Sequence, residues 1–144
     1  MTSTNEMIET NSRECRAVLD RLLAAQAFAF DDELKFRLPT KPGLYVIRRQ
    51  SGNADEYLHA GQSPKAKDGL RSRVWQQHFR GGGTGAGSDL VQKVIDRGQA
   101  QDKPSAQLCI RNNCVVQWIV EENVDLRCWA EHYILSVLRP IWGR

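Results

Sequence analysis

Leu38-Pro39-Thr40-Lys41-Pro42-Gly43-Leu44-Tyr45-Val46-Ile47 and, further on, Tyr57-Leu58-His59-Ala60-Gly61-Gln62-Ser63 are the stretches whose reading decides the fold. Two prolines and a glycine end any preceding helix, and Leu44-Tyr45-Val46-Ile47 then reads as a strand. Ser51-Gly52-Asn53-Ala54-Asp55 is turn chemistry, so Tyr57-Leu58-His59-Ala60 is the returning strand of a hairpin. Period-two alternation puts Tyr57, His59 and Gly61 on one face. A helix over 70–79 follows, with Arg73 and Gln77 on one side because they are four residues apart.

Upstream, Val18, Leu19, Leu22, Leu23 and Ala27 recur at helical spacing. Asn11 with Glu14 offers a capping pair, which predicts an amphipathic helix over 11–28 behind a frayed polar start over 1–11. Downstream, the glycine run 81–87 lacks both the lysine of a phosphate loop and a preceding strand, and reads as a loop. Ser88 is positioned to cap a short helix ending at Gly98. Leu108-Cys109-Ile110, an Asn112-Asn113 turn and the apolar run 115–120 suggest a second hairpin. From Asp125, the residues Leu126, Trp129, Ala130, Tyr133, Ile134, Val137 and Leu138 trace one helical stripe. Glu131 falls just outside that stripe, where a carboxylate can lean over the sheet margin.

The chain has 144 residues, 41% of them hydrophobic and 26% charged, enough for one domain with its own core. No apolar run reaches the roughly 18 residues that span a bilayer, and the start lacks the order of a signal peptide. A cytoplasmic protein with no membrane partner is expected. Cys15, Cys109, Cys114 and Cys128 show no paired spacing, which indicates neither a disulfide framework nor structural zinc. Cys128 and His132 are four apart on a helix, but two ligands alone do not make a metal site. Residues 1–33 carry three basic against seven acidic side chains, and residues 41–80 carry eight against three. The motif stretch therefore sits in the basic part of the chain, as a polyanion-binding face would.

These pieces, in this order, resemble the GIY-YIG nuclease family from about residue 40 onwards. Gly43-Leu44-Tyr45 stands for its first motif and His59-Ala60-Gly61 for its second. Leu70 followed by Arg73 stands for the leucine and catalytic arginine, and Glu131 with Pro140 for the metal-binding glutamate and the proline that closes the last helix. The sequence departs from the pattern at several places. His59 and Ala60 replace a tyrosine and a branched aliphatic residue, and thirteen residues separate Tyr45 from His59. Gln77 takes the place of a helical histidine or tyrosine, with His78 one residue later and about 100° further round a regular helix. Gly143 stands where an asparagine is usual.

The resemblance implies a small α/β (α+β) domain over 39–144, a mostly antiparallel sheet of three to four strands flanked by helices, preceded by a helical extension over 12–38. It also implies a metal-dependent DNA endonuclease. Tyr45, His59, Arg73, His78 and Glu131 would be catalytic, and Lys65, Lys67, Arg71 and Arg80 would contact DNA. Sequence specificity would come from loops such as 81–87, from a homodimer or from a separate recognition partner, or else be low.

The residue types suit that chemistry. Phosphodiester hydrolysis needs an activated water, charge neutralisation on the phosphoryl oxygens and help for the leaving group. A single carboxylate, Glu131, suits Mg²⁺ or Mn²⁺, which keep waters and accept substrate oxygens as ligands. Arg73 offers a permanent cation with a planar donor fork. Tyr45, with an ordinary pKa of about 10, is a poor base unless assisted, whereas His59 titrates near neutrality. The competing expectations are a nucleic-acid-binding module that has lost catalysis and, more remotely, a scaffold whose basic segment meets an acidic protein.

Overall fold

The computed structural model describes residues 3–51, 54–64, 68–81 and 89–143. Among these, six helices pack against one four-stranded antiparallel sheet, an α+β arrangement. Helix α1 (Thr4–Ala24) leads into strand β1 (Phe28–Ala29) and a single helical turn, α2 (Leu34–Arg37). Strands β2 (Gly43–Ser51) and β3 (Ala54–Ser63) form the expected hairpin, and a π-helix, π1 (Arg71–Phe79), follows. Helices α3 (Leu90–Asp96) and α4 (Lys103–Asn113), strand β4 (Cys114–Val120) and helix α5 (Val124–Leu138) complete the chain.

The sheet order is β1-β4-β2-β3, so β2 is central and carries the first motif. Its alternation divides the core. Tyr45 and Ile47 face Phe30, Leu34, Leu70, Val74, Leu90 and Ile110, which come from the β1–α2 segment, π1, α3 and α4. Leu44 and Val46 face Val18, Leu19, Leu22, Ala130 and Ile134 from α1 and α5. With helices on both faces, each strand can be apolar on both sides, and Val46 and Ile47 are both fully buried.

Four expectations need correction. The first helix begins at Thr4, not Asn11, because Ser3 and Glu6 form a reciprocal capping box, and it stops at Ala24. Residues 28–29 then join the sheet through β4, so the helical extension also contributes a strand. The second hairpin does not exist. Residues 103–113 are helical because Asp102 caps the Ser105 amide, Pro104 fits the first turn, and Ala106 and Ile110 bury one face at i, i+4. Leu108, expected on a strand, is exposed on that helix. Asp89, rather than Ser88, caps α3; Ser88, the turn residues 52–53 and Gly82 to Gly87 lie outside the described residues.

The fourth correction concerns α5, where Trp129 and Val137, assigned to the buried stripe, are exposed. The buried face is Arg127, Ala130, Glu131 and Ile134, again at i, i+3, i+4, i+7. Two charged residues can occupy it because both find polar partners at the end of β3, described below.

The C-terminal segment covers the otherwise open edge of β3. Ile141 and Trp142 amides donate to the Tyr57 and Leu58 carbonyls, and the Ala60 amide donates to the Gly143 carbonyl. The backbone of residues 141–143 thus does the docking here.

Candidate active site

Two glycines make room for the site. A Cβ on Gly43 would clash with the Ile119 carbonyl oxygen and lie 2.8 Å from a methyl of Leu70, the residue before π1, so both approach this strand end only because the side chain is absent. A Cβ on Gly61 would lie 2.7 Å from the Tyr45 hydroxyl. Gly61 pairs with Tyr45 in the ladder, and the phenol ring lies across the space its missing side chain leaves.

His59 reaches the same face by an irregularity in β3. Ile47 pairs with His59 but Arg48 pairs with Tyr57, so Leu58 is the extra residue of a bulge. The expected sharing of one face therefore holds for His59 and Gly61 and fails for Tyr57. Tyr57 packs with the α1 and α5 side, while Leu58 and His59 both serve the Tyr45 side.

His78 reaches it by the winding of π1. Hydrogen bonds run to the fifth residue back, as from the Arg80 amide to the Trp75 carbonyl, so Arg73 and His78 stack on one face. Sequence reasoning on a regular helix placed Gln77 there instead. Gln77 lies beside them and its side-chain oxygen accepts from Arg73 Nη1.

The result is a buried cluster around one atom. The Tyr45 hydroxyl oxygen is 2.6 Å from His78 Nε2, 3.2 Å from His59 Nε2 and 3.2 Å from Arg73 Nε. Tyr45, His59 and His78 are fully buried, and Arg73 is half-buried. The direction of each proton follows. The Leu90 amide donates to His78 Nδ1 at 3.2 Å, so the neutral ring carries its proton on Nε2 and donates it to Tyr45. Arg73 Nε–H donates as well, which fills both acceptor positions of the phenol oxygen. The Tyr45 O–H is then directed at His59 Nε2, and the His59 proton sits on Nδ1. That atom is buried without a partner among the described residues.

Burial dominates the titration of this cluster. It raises Tyr45 to about 12, with Arg73 opposing and the Glu131 charge adding to the rise. It lowers His59 to about 3, helped by the positive charges of Lys93 and Arg73. His78 is pushed down for the same reason, with His59, Arg73 and Lys93 contributing. Both imidazoles are thus neutral at physiological pH, consistent with the proton assignment.

Glu131 closes the site from α5. Its Oε2 accepts the Gln62 amide at 3.1 Å, one ladder position from Gly61, which pairs with Tyr45. Among the described residues no cluster of three or more His, Cys, Asp or Glu could hold an ion. A cation needing three or four protein ligands does not fit this donor set. A hard octahedral ion that keeps most of its waters needs as little as one protein carboxylate, and Glu131 offers one. Cys128 and His132 do not form a pair: Cys128 Sγ accepts from Gln62 Nε2 at 3.4 Å and His132 is exposed.

Of the expected DNA contacts, Arg80 is exposed. Arg71 is half-buried, with Nε donating to the Leu38 carbonyl at 3.0 Å, so it holds the loop before β2 instead of facing outward. Lys65 and Lys67 lie outside the described residues.

Three residues not anticipated from sequence belong to the neighbourhood. Lys93 is buried and its Nζ donates to the Trp142 carbonyl at 2.8 Å, tying the C-terminal segment down beside the β3 bulge. Arg127 is buried at 3% exposure and donates to the Gln62 side chain, which in turn bridges β3 and α5. Arg127 lies one turn before Glu131, a spacing visible in sequence; nothing local marks Lys93 or Gln62.

Fold and site together define an α+β protein with a buried tyrosine–histidine–arginine cluster and a carboxylate at its margin. No protein-family model, no curated protein and no solved structure matches the chain.

Proposed function

We propose that the protein is a metal-dependent endonuclease that hydrolyses DNA phosphodiester bonds with a GIY-YIG-like site. The observation that carries this is the convergence of His59, His78 and Arg73, from β3 and π1, on the hydroxyl of Tyr45 at the centre of the sheet.

Arg73 has the double role. In the free protein its guanidinium occupies the phenol oxygen; a phosphodiester is a stronger acceptor and draws the guanidinium towards itself. One acceptor position of Tyr45 then becomes open. A water beside the phosphate passes a proton to that oxygen while Tyr45 passes its own proton to His59 Nε2, which becomes a better acceptor as the bound phosphate anion offsets the Arg73 and Lys93 charges that hold it down. The water oxygen bonds to phosphorus, the bridging P–O bond breaks, and the leaving alkoxide takes a proton from a solvent water, whose hydroxide is neutralised as His59 gives up its proton. The His78 Nε2–H contact holds the phenol in place throughout. Glu131 would hold a Mg²⁺ or Mn²⁺ ion, which would supply charge neutralisation and a more acidic water when bound.

Incubation with supercoiled plasmid in Mg²⁺ or Mn²⁺ tests the activity. Nicking by the wild type is expected, with Tyr45→Phe and Arg73→Ala slower by about 10²–10⁴-fold and Glu131→Ala inactive. No nicking in either metal, or equal nicking by Glu131→Ala, contradicts the assignment.

One observation favours an alternative, a nucleic-acid-binding module without cleavage: Tyr45 is fully buried and its oxygen is saturated with hydrogen bonds in this state. Salt-sensitive DNA binding that survives chelator, in the absence of any cleavage, identifies that function.

A further inference from the structure

We infer that Gln62 and Arg127 are positioning residues that hold the Glu131 carboxylate where a divalent cation is taken up, an inference that rests on the proposed endonuclease site. Gln62 is the knot. Its amide donates to Glu131 Oε2 at 3.1 Å, its side-chain oxygen accepts Arg127 Nε at 2.8 Å, and its side-chain nitrogen donates to Cys128 Sγ at 3.4 Å. One residue of β3 is therefore tied to three residues on one turn of α5. The second arm of the arginine fork, Nη1, donates to the Glu121 carbonyl at 2.9 Å, just beyond the end of β4.

The consequence is geometric. Gln62 pairs with Leu44 in the β2–β3 ladder, adjacent to the Gly61–Tyr45 pair. The clasp thus fixes the height and rotation of α5 relative to the strand that carries Tyr45, and with them the position of Glu131. Packing alone does not call for an arginine here. A guanidinium at 3% exposure is costly to bury, and an apolar side chain of similar length would fill the space. Its use is directional: a planar fork joins one acceptor on β3 to another just past the end of β4. Lysine, with a single nitrogen, cannot span both with the same geometry.

The test is Mn²⁺ uptake by the purified full chain, followed through the EPR signal of free Mn²⁺, with nicking as a second readout. Gln62→Met and Arg127→Lys each keep the length of the stem, and thermal unfolding of both is measured alongside. Wild-type uptake that is lost in Glu131→Gln, and weaker by about 10–100-fold in folded Gln62→Met and Arg127→Lys, is expected for residues that orient a metal ligand. The metal concentration for half-maximal nicking rises in parallel, while the rate at saturating Mn²⁺ stays near that of the wild type. If the two variants bind Mn²⁺ like the wild type, or if neither folds, the clasp has no metal-positioning role and the endonuclease site stands. If the wild type binds Mn²⁺ no better than Glu131→Gln, the metal site itself fails and the clasp fails with it.

Discussion

The hydroxyl of Tyr45 receives two N–H donors and is directed at one imidazole nitrogen, so the resting phenol has no acceptor position for a water. Its neighbours set a pH signature that does not depend on activity. His59 is held at about 3 in the fold against an ordinary 6.5, so the unfolded chain binds more protons below 6.5. The stability associated with neutral His59 is complete above pH 6.5 and is lost as pH falls from there towards 3, by about 1.4 kcal/mol per pH unit. His78 acts in the same direction. Urea unfolding between pH 7.5 and 4 is expected to show this slope, and His59→Gln to reduce it by about one proton; an unchanged slope contradicts the buried neutral imidazole. Tyr45 acts at the other end, with stability present below about 10 and lost as pH rises through about 12. Gly61→Ala places a methyl against the phenol oxygen. It is expected to cost about 1–3 kcal/mol in the same unfolding measurement and to lower nicking together with it.

At the scale of elements, two irregularities assemble the site: the bulge at Leu58 and the π-winding of residues 71–79. Neither was legible in the sequence. A bulge depends on the register of the partner strand, and five-residue hydrogen bonding depends on which side chains the core accepts, so local propensity marks neither. The same limit explains α4, where Leu108-Cys109-Ile110 is too short to separate strand from buried helix by periodicity. What the sequence did carry was the β2–β3 hairpin and the helix bearing Glu131, because turn chemistry and long apolar periodicity are local signals. The winding of π1 gives a prediction of its own. Gln76 is exposed, and deleting it leaves one residue fewer between Arg73 and the histidine, which matches the four-residue spacing of a regular helix. The deletion variant is expected to fold, to wind as an α-helix and to keep the imidazole on Tyr45, observed as a downfield imidazole N–H resonance protected from exchange. Loss of that resonance in a folded variant contradicts the role given to the π-winding.

At the scale of the molecule, the sheet is a rigid centre whose two faces have different tasks. The α1 and α5 side holds Leu44, Val46 and Ala60 in an apolar layer, and the opposite side carries the polar cluster inside its own apolar ring. Glu131 comes from the first layer and Arg73 from the second, so the proposed site exists only where β3 ends and both meet. No described helix is long and apolar enough to cross a membrane. The most direct measurement is a crystal structure of the protein with Mn²⁺ and a short phosphorothioate DNA duplex, read by anomalous scattering. The expected result is Mn²⁺ at Glu131, a phosphate in contact with Arg73, and the Arg73 guanidinium withdrawn from the Tyr45 oxygen. DNA bound elsewhere, with no metal at Glu131 and Arg73 still on Tyr45, would contradict the endonuclease site.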